Sequence, residues 1–245
     1  MTISEQHAVE PTIDGPSIGL VGQFVVLAAL ATSVGLGSAG WLVGTAFAVI
    51  VCMTLSRAMH RSGTPMLGPA NRVTLFRATL VGGVLALVAD SLRGHTPVLA
   101  IVAFLVPLAA VALVLDGVDG KVARRTGTST ALGARFDMEI DAVLVMGLSV
   151  FVAQSLGWWV LAIGALRYVF VAAQQVMPWL RGSLPHRYSR KVVAATQGVV
   201  LVVAASGVLP QVLGIAAVAL ALGTLCWSFG RDSHWLWRAK VLTGR

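Results

Sequence analysis

Apolar runs long enough to cross a bilayer alternate along this chain with short polar connectors. That pattern restricts the fold more than any single residue does. A bilayer core takes about 20 apolar residues per helix, and within it the backbone must satisfy its own hydrogen bonds, as a helix does. By that measure the runs near 17–36, 40–57, 73–91, 97–117, 134–155, 158–178, 192–209 and 211–229 read as eight spans. Only 11% of residues are charged and 57% are hydrophobic, against about 25% charged in a soluble domain. A water-soluble core could not hide that much apolar surface. The expected fold is all-α, a polytopic integral membrane protein.

The connectors supply punctuation and orientation. A tight turn over Gly37 to Gly40, the Gly- and Pro-containing linker RAMHRSGTPMLGPANR, the connector SLRGHTP, Gly157 before Trp158 and Trp159, Pro178 and Pro210 separate the runs. Lys, Arg and His gather in 57–77, 116–135, 181–191 and 231–245, whereas the alternate connections hold only Arg93 and His95. The positive-inside bias then predicts basic loops and both termini on the cytoplasmic side of the cell membrane. It also accounts for the net charge of +8 without nucleic acid as a partner, and makes membrane lipid headgroups the natural neighbours. The expected organisation is a disordered tail over 1–16, a helix pair with its linker over 17–67, a six-helix core over 68–230 and a basic, aromatic surface tail over 231–245. The tail at 1–16 has acids but no Lys or Arg, unlike a secretory signal. Cys52 and Cys226 lie far apart in apolar runs and read as small core residues. The tryptophans read as an interfacial belt.

One polar stretch interrupts this pattern, DGVDGKVARRTGTSTALGARFDMEID over 116–141. Asp116 and Asp119 are spaced i, i+3, and Asp137 and Asp141 i, i+4, so on helices each pair shares a face. Four carboxylates at a membrane boundary would repel one another unless a cation joined them. Mg²⁺ and Mn²⁺ favour oxygen ligands and share coordination with substrate phosphates. Gly120 and Ala123 leave a shallow helix face, and Arg124 can add a charge-assisted bond to phosphate. The acids gather at one face, with the other spans nearly free of them, which argues against a divalent-cation transporter, since transport needs polar groups along several spans.

The order Asp116-x-x-Asp119-Gly120-x-x-Ala123-Arg124, eight residues, then Gly133-x-x-x-Asp137-x-x-x-Asp141 resembles the complete signature of the CDP-alcohol phosphotransferase (CDP-alcohol phosphatidyltransferase) family. Upstream, Asn71-x-Val73-Thr74-x-x-Arg77 is similar to the element that opens that family's first core helix. The resemblance implies a six-helix catalytic core with two additional N-terminal helices. It implies transfer of a substituted phosphate from a CDP-alcohol, such as CDP-diacylglycerol, to an acceptor hydroxyl with release of CMP, in phospholipid biosynthesis. It also implies two Mg²⁺ or Mn²⁺ ions on Asp116, Asp119, Asp137 and Asp141, with Asp141 as general base. Asn71, Thr74, Arg77, Gly120, Ala123, Arg124 and Gly133 would join Asp116, Asp119 and Asp137 around the CDP moiety. A homodimer is implied as well.

The acceptor is less clearly written. Arg167 lies midway along an apolar run, where an arginine is costly and is usually functional or paired with an acid. With Arg187, Arg190 and Lys191 it would suit a phosphate-bearing acceptor: glycerol 3-phosphate, inositol 1-phosphate or phosphatidylglycerol. The basic cluster could equally set topology, and a CDP-choline or CDP-ethanolamine donor with diacylglycerol as acceptor is the alternative within the family. Lys121, Arg125 and Arg135 read as headgroup-facing charges, His186 as loop surface, and Gln197 as an interhelical hydrogen-bonding residue.

Overall fold

The structure, a computed structural model, describes residues 15–62, 69–94, 96–126, 131–182 and 188–243. The side chains at 15–16, 58–62, 69–72, 118–126, 131–132, 178, 181, 188 and 239–243 fall outside that description. The described residues form eight α-helices: α1 (Gly15–Val34), α2 (Ser38–Ser62), α3 (Pro69–Ser91), α4 (Val98–Thr126), α5 (Ala131–Leu156), α6 (Leu161–Val176), α7 (Tyr188–Ala205) and α8 (Gln211–Thr243). Short 3-10 turns at Trp158–Val160 and Pro178–Arg181 lead into and out of α6. Gly157, with φ +106°, makes the turn after α5 in a conformation that favours glycine. The tail expected over 1–16 lies outside the described residues except for Gly15 and Pro16, which open α1.

Each expected span corresponds to a helix, with three differences. Among the described residues, six helices are long and apolar enough to cross a membrane. The remaining two, α5 and α7, begin in polar residues: Arg135, Asp137, Glu139 and Asp141 in α5, and Arg190 and Lys191 in α7. Second, α4 does not stop where the apolar run ends but carries the first half of the polar stretch as helix to Thr126. Third, α8 runs unbroken through the segment expected as a separate tail. No proline interrupts it, and Leu236 is buried where it meets Gly182. Its 33 residues, at about 1.5 Å each, reach about 50 Å, well past a hydrocarbon core of about 30 Å.

Helix α3 is the centre of the bundle. Its span is 78% buried, whereas the other apolar spans are 17–28% buried. It packs against α1, α2, α4 and α5. Lipid tails are as apolar as the side chains, so helices associate in a membrane through close packing and interhelical hydrogen bonds. The sequence provides for that. Gly19 of α1 seats Leu75 of α3, Gly82 of α3 seats the amide of Gln23, and Gly83 seats Val26. Gly147 of α5 admits Leu85 of α3, and Gly164 of α6 lies against the Met146 backbone of α5. Between α7 and α8, Gln197 donates through Nε2 to the Ala221 carbonyl at 2.9 Å, the interhelical role expected of it.

At the far end of α3 a buried acid corrects the expectation that the acids gather at one face. Asp90 is buried; its Oδ1 accepts from the Gly37 N–H at 3.1 Å and its Oδ2 from the Thr96 hydroxyl at 2.7 Å. It thereby ties the α1–α2 turn to the connection between α3 and α4. Removing the acceptor strands a part-buried N–H and a buried hydroxyl, the latter at about 1–3 kcal/mol. Asp90→Ala is therefore expected to lower the melting temperature of the detergent-solubilised protein by several degrees. Asp90→Asn, which keeps one carbonyl oxygen, should lose less, and equal melting of all three forms would show that the clasp contributes nothing.

Candidate metal-binding active site

Three helices bring the site together. Asp137 and Asp141 stand one turn apart on α5, Asp116 comes from α4, and Arg77 enters from the central α3. The guanidinium of Arg77 donates from Nη1 to Asp116 Oδ1 at 2.7 Å and from Nη2 to Asp137 Oδ1 at 2.5 Å. The same Nη2 also donates to the Asp137 carbonyl at 3.2 Å and lies 3.1 Å from Asp141 Oδ1. The arginine side chain is 0% exposed, while those of Asp116, Asp137 and Asp141 are 39%, 33% and 39% exposed. The cation is thus the floor of the site, and the carboxylates open outward from it. Charge-assisted pairing of this kind is what makes a buried guanidinium tolerable in a helical bundle.

The donor set fits a hard divalent ion. Asp116, Asp137 and Asp141 each offer a carboxylate oxygen, and the offered atoms lie within 4.8 Å of one another. Opposite ligands around an ion with metal–oxygen distances of about 2.0–2.1 Å stand about 4.2 Å apart, so small side-chain adjustments suffice to close the set. A carboxylate accepts at about four lone-pair positions, so contact with Arg77 through one oxygen leaves capacity for a metal.

Other residues singled out in the sequence divide into three groups. Thr74 is buried one turn before Arg77 on α3, and Gly133 lies one turn before Asp137 on α5. Asp119, Gly120, Ala123 and Arg124 continue α4 past Asp116, and Asn71 lies near the start of α3; the side chains of all five are outside the described residues, as are Arg187 and His186 altogether. Two of the basic residues read as an acceptor site, Arg167 and Arg190, have acidic partners. Arg167 Nη2 lies 2.6 Å from Glu139 Oε1, and Glu139 is 59% exposed. Two positions from both Asp137 and Asp141, Glu139 points away from the metal-binding face of α5. Arg190 Nη1 lies 3.7 Å from Asp232 Oδ2 of α8, Arg231 donates to the Ser189 hydroxyl at 3.3 Å, and Lys191 is exposed.

Sequence reasoning missed two of these partners, Glu139 and Asp232, and the role of Arg77 as the floor of the site. Their signals were faint: an acid inside the signature that belongs to no signature position, an acid in a basic tail, and an arginine with no acid nearby in its own helix.

A helical membrane protein with a cluster of carboxylates contributed by two adjacent core helices is the class that fold and site define. The family model described as CDP-alcohol phosphatidyltransferase matches residues 67–227. That is more than half of the chain, and the chain belongs to this family. Comparisons with curated proteins and with solved structures yield no match. Members transfer a substituted phosphate group from a CDP-alcohol to an acceptor alcohol and use divalent metal ions. The match begins just before α3, so α1 and α2 lie outside it.

If the three described aspartates form the metal site, Asp137→Ala and Asp141→Ala should each weaken Mn²⁺ binding by about tenfold or more, since each removes a charged ligand. Electron paramagnetic resonance of free Mn²⁺ reads this directly. Glu139→Ala should leave the binding curve in place; a loss equal to that of Asp137→Ala would relocate the site.

Proposed function

We propose that this protein transfers the phosphatidyl group of CDP-diacylglycerol to a phosphate-bearing acceptor alcohol, releasing CMP, in phospholipid biosynthesis. The observation that carries this reading is the convergence of signature aspartates from α4 and α5 to within ligating distance. Asp116, Asp119, Asp137 and Asp141 would hold two Mg²⁺ or Mn²⁺ ions. Bound there, the ions supply charge that offsets the donor pyrophosphate and the oxygens around the reacting phosphorus.

The chain's own groups do the rest. Asp141 takes the proton of the acceptor hydroxyl; the acceptor oxygen forms its bond to the β-phosphorus as the bond from that phosphorus to CMP breaks. Asn71, Thr74, Gly120, Ala123, Arg124 and Gly133 line the nucleotide. Arg77, expected beside the nucleotide as well, is engaged by the carboxylates, and its role is developed below. The site faces the cytoplasm, where both termini lie, in keeping with the basic loops on that side. The protein works as a homodimer.

Arg167, Arg187, Arg190 and Lys191 make the acceptor side basic, which favours glycerol 3-phosphate, inositol 1-phosphate or phosphatidylglycerol over a neutral alcohol. The salt bridges of Arg167 to Glu139 and of Arg190 to Asp232 temper that charge.

The test is incubation of the purified protein with CDP-diacylglycerol, Mn²⁺ and a panel of acceptors, with the lipid product identified by mass. One phosphate-bearing acceptor should give product and CMP. Turnover only with CDP-choline or CDP-ethanolamine and diacylglycerol would overturn the donor assignment, and Mn²⁺ uptake into proteoliposomes with no CMP would favour transport instead. Asp119→Asn and Asp141→Asn should each abolish CMP release from a folded protein; wild-type turnover in either would remove its assigned role. Arg190→Ala should raise the acceptor KM by about tenfold, the value of one charged hydrogen bond, with the donor KM little changed.

A further inference from the structure

Arg77 meets one oxygen of each of three carboxylates that offer metal-ligand atoms. It is the largest fully buried side chain of the described residues, set in the central helix. A guanidinium does not lose its proton in proteins, so its charge is permanent. With Asp119, which the proposed function adds to the site, four carboxylates and one guanidinium carry a formal charge of −3, against the +4 of two divalent ions. Without the guanidinium the same four carboxylates would carry −4 and match it.

We propose that Arg77 is a built-in counter-cation of the metal site, a positioning residue that holds Asp116, Asp137 and Asp141 at ligating separation and limits how tightly they hold divalent ions on their own. Firm retention of the metals then depends on the negative charge that the nucleotide pyrophosphate brings. The inference rests on the metal-dependent transfer proposed above for its meaning to the reaction, but not for its test.

Two effects oppose each other when Arg77 is replaced. A unit positive charge beside the ligands is lost, which strengthens the pull on a cation; Coulomb attraction acts strongly over a few ångströms in a partly buried site. The carboxylates also lose the planar fork that holds them together. Aspartate side chains are short and have little rotamer freedom to regain, so charge outweighs loosening. Lysine separates the two effects, because it keeps the charge and cannot reproduce the fork.

The experiment titrates purified full-length protein in detergent with Mn²⁺ alone, reading free Mn²⁺ by electron paramagnetic resonance. Arg77→Gln should bind Mn²⁺ about tenfold or more tightly than wild type, and Arg77→Lys within about threefold of wild type, while both release CMP more slowly. Arg77→Gln binding no tighter than wild type would overturn the proposal, as would equal tightening in Arg77→Lys. If Arg77→Gln unfolds in EDTA, recovery of its melting temperature at lower Mn²⁺ than shifts the wild type supports the proposal. A low melting temperature at every Mn²⁺ concentration counts against it. A wild type that releases no CMP, with the Mn²⁺ pattern intact, would remove the transfer function and leave the role of Arg77 standing.

Discussion

Everything at the site depends on one buried charge interaction. A guanidinium sealed into the centre of a helical bundle would cost several kcal/mol if unpaired, and three carboxylates crowded within 4.8 Å would repel one another. Each solves the other's problem. The pairing also links three helices, because the cation comes from α3 and the anions from α4 and α5. The relative placement of those helices is therefore tied to the geometry of the cluster, and the contacts that gather the carboxylates also help hold the core together.

The central position of α3 gives the N-terminal helix pair a physical reason to exist. The face of α3 turned toward α1 and α2 presents Leu75, Thr79, Gly82, Gly83, Ala86 and Asp90. Several of these are small or polar, good for helix packing and poor for contact with lipid. The pair covers that face. Gln23 closes on Gly82, and Gly37 donates to Asp90. Although α1 and α2 lie outside the family match, they support the helix that delivers Arg77.

Much of this could be read from the sequence because membrane helices leave strong signals. Apolar runs of bilayer length located all eight helices of the described residues, and the i, i+3 and i, i+4 spacings singled out aspartates from both pairs, Asp116, Asp137 and Asp141, whose carboxylates converge. The continuity of α8 was harder to see: charge rises after Phe229, yet the helix continues to Thr243. Pairings between distant residues were hardest. Arg167 finds Glu139 and Arg190 finds Asp232 because helix rotation sets their directions, and rotation depends on contacts that no local pattern records. Asp90 was passed over for the same reason, since its partners are a backbone N–H and a threonine hydroxyl in two separate turns.

The Arg167–Glu139 pair is held by weaker forces than the cluster around Arg77. Both of its side chains are partly exposed, and exposed ion pairs contribute about 0–1 kcal/mol. The central claim concerns the carboxylates, and the most direct measurement is the anomalous scattering of Mn²⁺ in crystals of the protein with CDP. The account predicts Mn²⁺ peaks at about 2.2 Å from carboxylate oxygens of Asp116, Asp137 and Asp141, with Arg77 still beneath them. Mn²⁺ bound elsewhere, with the three aspartates held by Arg77 alone, would contradict it.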